Sequence, residues 1–128
     1  MIDIAQHIEF LLLHHDCVVV PGLGAFIVND EGARYDSRRH VFMPPSRTVG
    51  FNPEVRHNDA MLIGSISRRN GISLSAARMD LETEVASLHH QLDVAGEFPL
   101  GRLGMLMRGA SAEYPVFEPA ADSLPLRL

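Results

Sequence analysis

The sequence predicts an α+β fold made of two related halves. Three observations carry that expectation. Apolar residues recur at helical spacing in three segments, and the shorter β-branched or apolar runs between them read as strands. A glycine corner occurs twice, as Gly22-Leu23-Gly24-Ala25-Phe26 and as Gly101-x-Leu103-Gly104-x-Leu106, each time after a helix and an apolar lead-in. A closing segment also occurs twice, as Val49-Gly50-Phe51-Asn52-Pro53 and Pro115-Val116-Phe117-Glu118-Pro119. Two echoes in the same order imply a repeated unit of helix, strand, turn, strand, arm and strand.

Ile4, Ile8, Leu11 and Leu12 share one helical face, so residues 2–14 read as an amphipathic helix. Cys17 to Val20 and Ala25 to Val28 read as strands joined by the tight turn at Pro21-Gly22-Leu23-Gly24. Residues 29–40 are polar and turn-like. Val41, Phe42 and Met43 resume an extended segment until Pro44 and Pro45 interrupt it, and Thr48 to Phe51 is a short strand stopped by Asn52 and Pro53.

Asn58 or Asp59 supplies an N-cap for a second helix, residues 59–69, which carries Met61, Leu62, Ile63 and Ile66. Asn70 and Gly71 end it, because both tolerate the left-handed conformation. Ser73 caps a third helix with Ala77, Leu81, Val85, Leu88 and Leu92 as its apolar stripe. A strand pair around Gly101 and Gly104 and a last apolar piece, Tyr114 to Phe117, complete the second unit. The expected divisions are a first half at residues 1–58, a second half at 59–119 and a tail at 120–128, with the helix at 59–69 shared between the halves.

Gly22, Gly24, Gly101 and Gly104 are read as structural turn residues, since a strand-to-strand corner needs positive φ or close backbone approach. A dinucleotide fingerprint needs a third glycine and a following helix, whereas Ile27 and a strand stand there instead.

A composition of 46% hydrophobic and 21% charged residues is that of a globular protein, not a disordered one. The longest apolar run, Ile8 to Leu13, is interrupted by Glu9 and is far below the ~20 residues that span a bilayer, so no membrane contact is expected from this segment. No basic-then-apolar leader pattern occurs, which predicts no secretory signal. A single cysteine, Cys17, fits a reducing compartment, and the expectation is cytoplasmic. The net charge is −5 and all eleven basic residues are arginines, a field that repels a polyanion.

Residues 59–107 resemble the N-terminal part of the bacterial nucleoid protein HU and of integration host factor. They share the helix, the Asn70-Gly71-Ile72-Ser73 break, the second helix and the Gly-x-Leu-Gly strand pair. Residues 5–66 resemble the rest of such a unit, with its second helix, β-hairpin arm, Phe51-Asn52-Pro53 stretch and closing helix. The run from Asp16 to Phe26 is similar to a bacterial branch of HU-like domains that occur in tandem at the N-terminus of SPOR-domain proteins. The resemblance implies two HU-like halves in tandem, each of helices plus a β-hairpin arm. It implies a protein-interaction or scaffolding role as the cytoplasmic part of an envelope or cell-division protein, with nucleoid-type DNA binding as the alternative.

HU itself carries two long basic arms, each with an intercalating proline near its tip. Here the first arm has Arg34, Arg38 and Arg39, with Arg47 near its base, and no proline at its apex. These four arginines are the candidate contacts to nucleic acid or a partner. The second arm, around Gly109 to Glu113, is too short to reach round a duplex.

Seven histidines raise a metal site, but adjacent pairs such as His89-His90 diverge by about 100° on a helix, and no tetrahedral set completes at recognisable spacing. Partly exposed histidines near helix ends are the plainer reading. Cys17 with His14 or His15 suggests a nucleophile on paper, yet a cysteine before a β-branched strand reads as a small core residue. Arg47 and the Arg68-Arg69 pair read as solvated surface, and Met43, Met61, Met79, Met105 and Met107 mostly as core filling. The expectation is therefore no enzyme, no metal, no cofactor and no small-molecule substrate, but a protein partner or self-association, with DNA disfavoured.

Overall fold

The computed structural model describes residues 3–110 and 114–120. Most of the expected tail, and residues 111–113 of the second arm, lie outside the described residues. In chain order the first elements are α1 (Ile4–Leu12), β1 (Cys17–Val20), β2 (Gly24–Glu31), β3 (Arg34–Asp36), β4 (Val41–Met43) and β5 (Ser46–Asn52). Then come α2 (Met61–Asn70), α3 (Leu74–Ala95), β6 (Glu97–Pro99), β7 (Gly104–Met107) and β8 (Val116–Pro119).

The helix ends are set by local chemistry. Asp3 caps α1, its Oδ1 accepting from the Gln6 backbone N–H at 3.2 Å. Ser73 caps α3 in the same way, accepting from Ala76 at 3.1 Å. Gly71 ends α2 at φ 65, and the Ile72 N–H returns to the Ser67 carbonyl.

The start of α2 differs from expectation. Neither Asn58 nor Asp59 is the cap. Ala60 takes that place at φ 66, and the helix begins at Met61 rather than at residue 59. The two expected residues build the turn that leads in, with Asn58 Oδ1 accepting from Ala60 N–H and Asp59 Oδ1 from Met61 N–H.

Two three-stranded antiparallel sheets form, ordered β1-β2-β5 and β6-β7-β8. In the first, Phe26 is registered against Phe51; in the second, Leu106 is registered against Phe117. Both corners close by the same four-residue turn. Leu23 N–H bonds the Val20 carbonyl at 3.0 Å, and Leu103 N–H bonds the Leu100 carbonyl at 3.0 Å. Leu23 and Leu103 are buried in one common core.

The outer glycines are not equivalent, however. Gly22 is the third residue of its turn at φ 79, whereas Gly101 is the second of its own at φ 57. Pro21 fills the second slot of the first turn and cannot take positive φ, so the reversal falls on Gly22.

Gly24 and Gly104 are equivalent in a different sense. A Cβ on Gly24 would collide with the Phe51 ring and stand 2.9 Å from the Asn52 carbonyl oxygen. A Cβ on Gly104 would collide with the Glu118 carbonyl and stand 2.9 Å from the Pro119 Cα. In each sheet the third strand crosses the corner too closely for any side chain.

Helices and sheets share one core. Ile8 and Leu12 of α1, Leu62 and Ile66 of α2, and Leu81, Leu88 and Leu92 of α3 meet Val18, Val20 and Phe26 inside it. α2 packs against α1, α3 and β1, which places it centrally. The two sheets touch where β5 meets β8, and Phe26 stacks there with Phe51 and Phe117, at ring centroids 4.9 and 5.3 Å away. No helix among the described residues is long and apolar enough to cross a membrane.

Candidate interaction surface: the first arm

Residues 29–40 are not a plain turn. β2 runs on to Glu31, and β3 and β4 pair antiparallel beyond it to form an arm. The β2–β5 ladder ends with Glu31 opposite Ser46, and the β3–β4 ladder begins with Arg34 opposite Met43. Opposite Gly32 and Ala33 therefore stand Pro44 and Pro45, which have no N–H to donate. That gap separates the arm from the sheet.

Asp36 organises the tip. Its Oδ1 accepts from the Arg38 and Arg39 backbone N–H groups at 3.0 and 3.3 Å, and its Oδ2 accepts from Arg39 Nε at 2.8 Å. The Arg39 guanidinium and N–H hold the Asp36 carboxyl below the usual carboxylate range. His40 follows at φ 54, and its Nδ1 lies 3.2 Å from the Tyr35 hydroxyl.

Tyr35 and Phe42 face each other directly across the two strands, ring centroids 5.0 Å apart. Phe42 is 79% exposed and Tyr35 51%. Nothing in the chain covers this aromatic pair.

The four candidate arginines separate into different roles. Arg34 pairs with Glu31 at 2.6 Å and Arg39 with Asp36. Arg38 is exposed, and its guanidinium has no partner among the described residues. Arg47 is not on the surface at all, its side chain being 2% exposed. Its Nε donates to Asp30 Oδ1 at 2.9 Å, and its Nη2 donates to the carbonyl oxygen of Leu12, at the end of α1. The arm thus offers a stacked aromatic face and one unpaired cation. Alternation around Tyr35 and Val41-Phe42-Met43 was the sequence signal for that face, and polar neighbours obscured it.

Elsewhere, Cys17 is exposed rather than in the core, since β1 begins with it at the sheet rim. Partial desolvation and the Asp59 carboxylate push its thiol up, which disfavours the nucleophilic thiolate. His7 is buried, not exposed, with Nδ1 3.2 Å from Ser65 Oγ. Among the described residues no three His, Cys, Asp or Glu side chains cluster to hold a metal. Met79 is exposed instead of filling the core.

Residues 1–59, which contain α1, β1 to β5 and the arm, match the family model of the CCDC81-like prokaryotic HU domain 1. An HU-like fold follows for that part, with helices and antiparallel sheets in an α+β arrangement. No curated protein and no solved structure matches the chain.

Proposed function

We propose that this chain is a non-enzymatic protein-interaction or scaffolding module, made of two HU-like halves in tandem that share α2. The observation that carries this reading is the arm. Its exposed Tyr35–Phe42 pair suits an apolar contact, while Glu31, Asp36 and Asp30 neutralise three of its four arginines. Aromatic pairs of this kind anchor protein interfaces. Duplex binding instead needs many unpaired cations. The equivalent corners at Leu23 and Leu103 and the central place of α2 support the tandem arrangement. A cytoplasmic site, as part of an envelope or cell-division protein, completes the proposal.

The second reading is nucleoid-type DNA binding through the arm, favoured by the HU-like match and by Arg38. An electrophoretic shift titration on random duplex separates the two. The scaffold reading expects no binding at micromolar protein and ~150 mM salt. Sub-micromolar binding there, lost when Arg34, Arg38 and Arg39 become Ala, would overturn it.

A further inference from the structure

α3 is a 22-residue helix that spends only one stripe on the core, formed by Ala77, Leu81, Val85, Leu88 and Leu92. At 3.6 residues per turn, the opposite side carries Ala76, Met79, Thr83, Ala86, His90 and Val94. No Asp, Glu, Arg or Lys interrupts that line. Its two large apolar residues stand in solvent, Met79 at 68% exposure and Val94 at 73%. The middle is small, so another helix can approach closely at Ala86.

We propose that a second copy of this chain docks on this face, its α3 antiparallel to the first. Pairing about the Ala86–Ser87 step sets Met79 on the partner's Val94 and Thr83 on the partner's His90. A large end thus meets a large end and the small centre meets itself.

Charge selects the same arrangement. Arg78 is the only Arg or Lys on α3, and it flanks the line at one end on the side where Asp93 flanks the other end. Antiparallel helices bring Arg78 beside the partner's Asp93, and the two-fold axis makes that pair twice. A parallel dimer would instead set Asp80, Glu82 and Glu84 of one copy against the same residues of the other. Antiparallel docking also opposes the two helix dipoles. This surface is separate from the arm and does not depend on the arm's function.

The test is the oligomeric state of the full chain by sedimentation equilibrium, from about 5 to about 500 μM, the range in which a modest interface assembles. The expected result is a concentration-dependent dimer. Ala86→Glu puts two carboxylates together at the two-fold axis and should abolish it, with the melting temperature of the dilute protein unchanged because residue 86 is exposed. Arg78→Glu and Asp93→Arg should each weaken the dimer by about fivefold, and the double variant should recover most of that loss. A chain that stays monomeric throughout, a dimer that Ala86→Glu leaves intact, or a double variant weaker than either single one would overturn the proposal.

Discussion

Arg47 Nη2 donates to the Leu12 carbonyl oxygen at 3.0 Å, so an arginine at the base of the arm closes the C-terminal end of α1. That carbonyl belongs to the last turn of the helix, where no intrahelical donor remains. The guanidinium also sits at the negative end of the helix dipole, and Asp30 balances its charge at the sheet surface.

Arg47→Ala should therefore lower stability by about 1.5–3 kcal/mol, the range for losing a buried hydrogen bond to a charged group. For a domain of this size that corresponds to a drop of roughly 5–15 °C in melting temperature by calorimetry. Arg38→Ala, at the exposed tip, should change stability by less than ~0.5 kcal/mol. Equal losses in the two variants would mean that Arg47 does not hold α1 to the arm.

The corner glycines give a paired expectation. Gly24→Val and Gly104→Val each press a side chain against the crossing third strand, at Phe51 and at Glu118. Each should destabilise by about 1–3 kcal/mol in chemical denaturation. Gly32→Ala is the control, since a Cβ there meets nothing within 4 Å. If Gly104→Val is tolerated while Gly24→Val is not, the two corners do not share their close crossing.

These elements also mark what the sequence makes legible. The α3 stripe from Ala77 to Leu92 is readable because one periodic signal spans the whole helix, and the Leu23 and Leu103 corners because glycine leaves a local mark. The arm is not readable in the same way. Its pairing of Tyr35 with Phe42 is made across a turn of polar residues, and the break before it depends on Gly32-Ala33 lying opposite Pro44-Pro45. Burial of Arg47 is hidden for a similar reason, since its acceptors lie 17 and 35 residues away in the chain. The cap at Ala60 escapes notice because Asn58 and Asp59 bond to the turn before the helix instead of to the helix itself.

His7 supplies a pH dependence. Burial, then the nearby Arg69 charge, hold its imidazole below the usual value of 6.5, and Asp3 opposes them weakly. A lowered pKa in the folded state means that the unfolded chain binds the proton more readily. The contribution is complete above pH 6.5 and is lost as pH falls through the folded value. His7→Gln keeps a polar group near Ser65 and does not titrate. Its stability deficit against the natural sequence should be largest at pH 7.5 and should shrink toward pH ~5 in denaturant titrations. A gap that widens on acidification would show that the imidazolium is favoured inside the fold.

The arm acids allow the most discriminating measurement. Glu31 neutralises Arg34, and Asp36 neutralises Arg39 while it shapes the tip. Glu31→Gln with Asp36→Asn leaves every arginine in place and releases two of them. If the aromatic face is the arm's purpose, the natural sequence should show no duplex binding at ~150 mM salt, and the double variant should bind only in dilute salt. Each released arginine that reaches a phosphate adds a little under one to the slope of log affinity against log salt, so that slope should steepen by about two. Three exposed cations remain well short of the six to ten contacts that hold a duplex at physiological salt. Tight binding by the natural sequence, with no change of slope in the variant, would mean that the arginines already reach DNA past their acids. The arm would then be a nucleic-acid grip whose aromatic pair stacks on bases.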